Sequence, residues 1–137
     1  MIRLVVIALV VAAAVVAGRI SRRRATDAPT QASSETPTQL DRADFSQIDA
    51  RWLVVVFTSA TCDSCNDVAA KARVLASKHV AVQIVEYSQD RELHRRYAID
   101  SVPCLLMADS SGVVRQSYLG PVTATDLWAG LARVREG

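Results

Sequence analysis

From Leu4 to Ala17 every residue is apolar, bounded by Arg3 on one side and by Gly18 and Arg19 on the other. A first element with no polar face reads as a membrane-directed helix rather than a buried soluble one. Its strict core of 14 residues is shorter than the roughly 20 that a spanning helix prefers, and Ile2 and Ile20, with snorkelling arginines, extend it to about 19. The pattern then stops: residues 25–39, ATDAPTQASSETPTQ, hold no aliphatic side chain larger than alanine, too little to bury, and read as a flexible linker. Leu40, Phe45 and Ile48 make a short helical or irregular lead-in. The run WLVVVFT, Trp52 to Thr58, is continuous, apolar and β-branched, as suits a strand buried on both faces. Asp63 to Lys78 has no Pro or Gly and places Val68, Ala72, Leu75 and Ala76 at helical spacing. A second strand is predicted over Val80 to Tyr87 and a short helix over Asp90 to Tyr97. Leu105 to Ala108 and Val113 to Leu119 flank the turn residues Asp109, Ser110, Ser111 and Gly112, predicting an antiparallel hairpin. Asp126 to Val134 closes the chain as an amphipathic helix, with Thr123 or Thr125 as its cap. The order β, α, β, α, β, β, α predicts an α/β fold, a central mixed sheet with helices on both faces.

Charge sharpens this division. Lys and Arg number 16 against 14 acids, but Arg3, Arg19, Arg22, Arg23 and Arg24 precede the first acid. From residue 25 onward 11 bases meet 14 acids, which leaves no basic field of the kind nucleic-acid binding needs. Positive charge directly after an apolar segment is retained on the cytoplasmic side. The expected layout is therefore a single-pass anchor with a basic flank over 1–24, a linker over 25–39 and a cytoplasmic domain over 40–137. The alternative is an exported protein, its signal cleaved near Val15, Val16, Ala17 or left uncleaved. The pattern says nothing about oligomeric state.

Three cysteines are too few for a disulfide framework, and two of them form the C-x-x-C of Cys62 and Cys65. At the junction of a buried strand and a helix, the Cys62 sulfur sits at a helix N-terminus, where free amides and the dipole favour a thiolate. Cys65, nearly one turn on, is placed to attack a mixed disulfide formed by Cys62. The competing readings are half of a zinc site, with His79, His94 and Cys104 as further donors, or two core thiols. There is no second C-x-x-C, and both histidines fall in segments predicted to be exposed, so no metal or cofactor is expected. Pro103, opening a strand after Ser101 and Val102, lacks an amide hydrogen and is a candidate cis peptide. Cys104 is either a small apolar core residue or a third thiol beside the pair.

The stretch VVVFTSATCDSC, then VPCLL 41 residues after Cys62, then Leu119 and Gly120 before a final helix, resembles the thioredoxin family over roughly residues 50 to 135. The resemblance implies a thioredoxin-like fold, a cis Pro103 packed against the dithiol, and a substrate groove formed by Thr61, Val102, Pro103, Leu119 and Gly120. It implies that the Val102 backbone pairs with an extended substrate polypeptide. Departures from the family pattern are Thr61 in place of Trp, Asp63 and Ser64 between the cysteines, Ala70 in place of a helix proline, and Val56 in place of a buried acid. The expected function is a membrane-anchored thiol–disulfide oxidoreductase exchanging disulfides with protein substrates through Cys62 and Cys65. The alternatives are a redox-inactive partner-binding module on the same fold, or a copper carrier using Cys62, Cys65 and Cys104.

Overall fold

The WLVVVFT run forms β1, Trp52–Thr58, with all seven residues buried, because both faces of this strand are covered and both edges are paired. In the computed structural model, which describes residues 35–137, β1 runs parallel to β2 (Val80–Glu86) and antiparallel to β3 (Cys104–Ala108). β4 (Val114–Leu119) pairs antiparallel with β3, giving the order β2-β1-β3-β4. Successive side chains alternate between the two faces. Val54 and Val56 of β1 and Leu105 and Met107 of β3 join a cluster with Val68 and Ala72 of α1 (Cys65–Arg73) and Leu127 and Leu131 of α3 (Ala124–Glu136). Leu53, Val55, Phe57, Cys104 and Leu106 face the other way, onto Leu93 of α2 (Arg91–Arg96) and onto Leu40 and Phe45 of the lead-in.

The predicted helix over Asp63 to Lys78 is shorter at both ends, running Cys65–Arg73. Leu75 is buried and keeps the apolar period alive, but the backbone has left the helix, and Ser77 bridges to Val80. The lead-in is a 3-10 turn, Arg42–Asp44. Thr123 is the cap of α3, its hydroxyl accepting from the Asp126 amide.

The folded unit reaches back past the expected boundary at residue 40. The Val114 amide donates to the Thr38 carbonyl and the Leu40 amide to the Gly112 carbonyl, while Thr36 Oγ1 donates to Ser117 Oγ. The last residues of the expected linker therefore strap the outer edge of β4. The helix expected over 1–24 lies outside the described residues. Among the described residues no helix is long and apolar enough to cross a membrane.

Candidate dithiol site

The sheet register collects the predicted site residues at one end of the sheet. Phe57 pairs with Cys104, and Cys104 with Leu119. The exit of β1, the entry to β3 and the exit of β4 are thus neighbours. Val102–Pro103 is a cis peptide bond, with Pro103 buried and Val102 half-buried. Gly120, at φ +79°, adopts a left-handed conformation that suits glycine, and its amide donates to the Pro103 carbonyl at 2.8 Å. Leu119 stays 42% exposed. Lys71 of α1 binds Asp67 at 2.6 Å and the Val122 carbonyl at 3.1 Å, tying α1 to the segment after Gly120.

After Thr58 the chain turns: the Cys62 amide donates to the Ser59 carbonyl, and the Cys65 amide to the Cys62 carbonyl. Cys62 and Cys65 are disulfide-bonded, with an S–S separation of 2.18 Å and Cα atoms 5.4 Å apart. Cys62 is half-buried and Cys65 is 1% exposed, so the first cysteine of the pair is the more accessible of the two. The helix begins at Cys65, two residues after Asp63, where the sequence pattern placed its start. Ser64 is its N-cap residue and makes no side-chain capping bond; its Oγ instead lies 3.8 Å from Cys62 Sγ. Cys62 stands in the turn just ahead of the helix, toward which the unpaired amides of the first helical turn point. Thr61 is exposed and hydrogen-bonds to Ser59.

Val56 is fully buried, packed with Val54, Val68, Leu105 and Met107 in the α1 cluster. Cys104 lies in the opposite cluster with Phe57 and Leu106. Burial, reinforced by the charge of Asp100, pushes its thiol up to about 11, so it is a poor nucleophile at neutral pH. Among the described residues no group of three or more His, Cys, Asp or Glu is placed to hold a metal ion. The three-thiol copper arrangement is not assembled. His94, expected to be exposed, is buried: Nε2 lies 3.0 Å from the Val85 carbonyl, and the ring meets Phe57 and Tyr87 edge-on.

Sequence reasoning missed Glu86, at the end of β2. Its Oε1 accepts from the Ala60 amide at 3.1 Å, and its Oε2 from the Ser88 hydroxyl and the Ser88 and Gln89 amides. These bonds, led by that from the Ser88 side chain, hold its carboxyl below the usual range. An acid closing a strand gives no periodic signal, and only the β1–β2 pairing brings it beside Ala60.

A half-buried cysteine bonded to a buried one, on a mixed α/β sheet that also carries a cis-proline loop, suits the class of dithiol–disulfide exchange domains. Residues 37–133 match the thioredoxin family, and the chain belongs to it. Among solved structures it is similar to a mutant thioredoxin from Halobacterium salinarum (TM-score 0.56, 18% identity, covering 63% of this chain and 76% of that one). It is also similar to the germline-specific thioredoxin Deadhead from Drosophila melanogaster (0.55, 21% identity, 64% and 84%). A third is a malaria parasite thioredoxin, described as a component of the protein secretion machinery (0.55, 17% identity, 61% and 82%). No curated protein matches the chain closely in sequence. A thioredoxin fold carrying a bonded C-x-x-C pair supports thiol–disulfide exchange as the general chemistry.

Proposed function

We propose that this protein is a membrane-tethered thiol–disulfide oxidoreductase that acts on protein disulfides through Cys62 and Cys65. The observation that carries this reading is the asymmetry of the pair, half-exposed Cys62 bonded to buried Cys65. In the reducing direction the Cys62 thiolate attacks a substrate disulfide. One substrate sulfur leaves as a thiolate and takes a proton from water, and Cys62 is left in a mixed disulfide. The Cys65 thiolate then attacks Cys62 Sγ and expels the second substrate sulfur. Two electrons pass to the substrate, and the protein ends in the Cys62–Cys65 disulfide state, which a dithiol donor must reduce again. The same steps reversed oxidise a substrate dithiol.

Val102 beside the cis bond, with Leu119 and Gly120 across from it, supports binding of an extended polypeptide by backbone pairing. An open surface suits that substrate better than a small molecule, which favours an enclosing pocket. A depression of about 600 Å³, lined by Tyr87, Arg91, His94 and Asp100 among others, includes neither sulfur of the pair.

Dithiothreitol-driven insulin reduction tests the exchange: Cys62→Ser abolishes turnover, and Cys65→Ser traps a mixed disulfide visible by mass spectrometry. Cys62→Ser protein that keeps its cellular role would establish the redox-inactive binding module instead. Anchoring rests on the apolar run Leu4 to Ala17, and a cytoplasmic domain on Arg19, Arg22, Arg23 and Arg24 behind it. A topology reporter fused at the C-terminus tests the side of the membrane. Activity of the cytoplasmic reporter agrees with this layout, and activity only of an exported one overturns it.

A further inference from the structure

Six residues, Ser59 to Ser64, carry Cys62 from the end of β1 to the start of α1. Most of the hydrogen bonds within this segment are local: the Cys62 amide to the Ser59 carbonyl, the Thr61 amide to Ser59 Oγ, Ser59 Oγ with Thr61 Oγ1, and Cys62 Sγ with Ser64 Oγ. Bonds of this kind shape a turn without fixing where it stands on the sheet. Among the described residues, one side chain from another element hydrogen-bonds to the segment, and it is that of Glu86. Its other oxygen is held by Ser88 and Gln89, in the turn that leads into α2. One carboxylate therefore clamps the loop before Cys62 to the end of the neighbouring strand.

We propose that Glu86 is a positioning residue for Cys62, holding the Ser59–Thr61 turn so that the sulfur stays poised for in-line exchange with an incoming disulfide. This deepens the oxidoreductase reading and rests on it. The physical reason is orientational. Sulfur exchange needs three sulfurs close to a line, and small displacements of a positioned group are costly in rate. The carboxylate is suited to the task because it offers two oxygens, one for each side of the clamp. An amide offers one acceptor, and alanine none.

The test uses the full chain with Glu86→Ala, Glu86→Gln and Ser88→Ala. Two quantities are measured: kcat/KM for insulin reduction, and the rate at which iodoacetamide alkylates reduced Cys62, with the thermal midpoint recorded alongside. Glu86→Ala is expected to lower kcat/KM about fivefold to tenfold. Glu86→Gln should recover it to within about twofold of wild type, since one acceptor remains for the Ala60 amide. Ser88→Ala, which removes the hydroxyl bond to Oε2 but keeps the Ala60 bond and both amide bonds, should lower kcat/KM by less than Glu86→Ala does. Two results overturn the proposal: kcat/KM unchanged in folded Glu86→Ala protein, or Ser88→Ala losing as much activity as Glu86→Ala. Wild-type protein without insulin turnover would sink the oxidoreductase reading. The alkylation rates would then still judge the clamp, because equal Cys62 rates in wild type and Glu86→Ala would remove it independently.

Discussion

Two buried side chains, Val56 and Cys104, each carry a prediction. Val56 fills with hydrocarbon the place where the family carries a buried acid, and it is fully enclosed. Without a carboxylate there to accept the Cys65 proton, the second step of exchange must hand that proton to water, and Cys65 is nearly closed to water. Insulin reduction slower than that of an ordinary thioredoxin is the expected result, and equal rates would show that the acid is dispensable. Cys104 makes a different prediction, about stability. Its thiol moves from an ordinary 9.0 to about 11 on folding. Below pH 9 both states keep the proton and the stabilising contribution is complete. Between 9 and 11 the unfolded chain gives up a proton that the folded chain keeps, so stability falls as pH rises through that window. Cys104→Ala lacks this dependence. Denaturation at pH 8.5 and 10.5 should show wild type losing roughly 2 kcal/mol more than the variant, and parallel losses would mean the thiol is not raised.

The elements differ in how much the amino-acid pattern revealed of them. β1 could be placed residue for residue, Trp52–Thr58, because an unbroken β-branched run has one economical use in an α/β sheet, the central strand. The far end of α1 could not, because Leu75 is buried from a turn as well as it would be from a helix. His94 sits in the string RELHRR, where Leu93 beside it is enough to account for a buried helix face without it; the rings of Phe57 and Tyr87 cover it from other elements. The two cysteines and Pro103 were legible because spacing within a short motif survives in the sequence. Glu86 was not, since its contact crosses 26 residues. The packing of α3 on β4 is equally hidden. Tyr118 Oη donates to the Asp126 carbonyl at 2.9 Å, and a Cβ on Gly130 would stand 2.2 Å from that same oxygen. Gly130→Ala should therefore destabilise by about 1–3 kcal/mol. Combined with Tyr118→Phe, which removes the oxygen, the penalty should shrink, a non-additivity that a double-mutant cycle measures.

How the chain enters the domain matters for the molecule as a whole. An uncovered edge strand offers its amides and carbonyls to any passing chain, and β4 is covered by residues that the composition assigned to the linker. Thr38 accepts from Val114 at its start and Thr36 reaches Ser117; in the turn before it Leu40 bonds to Gly112 and Gln39 reaches the Ser111 carbonyl at 2.8 Å, and Leu40 is 1% exposed. The strap reads as unstructured from sequence because its bonds are made by backbone and by polar side chains, which any Thr-, Pro- and Gln-rich stretch can supply. Gly112 makes room for it: at φ +80° a Cβ there would meet the Leu40 carbonyl oxygen at 1.9 Å, so no larger residue fits without moving the strap. A protein shortened to begin at Asp41 should be less stable than one beginning at Glu35 by about 3–5 kcal/mol, from one buried leucine and the lost backbone bonds. Gly112→Ala in the full chain should reproduce part of that loss by pushing the strap away rather than deleting it. Equal melting points for the two shortened proteins would mean that the edge needs no cover and that the folded unit does not depend on residues 35–40.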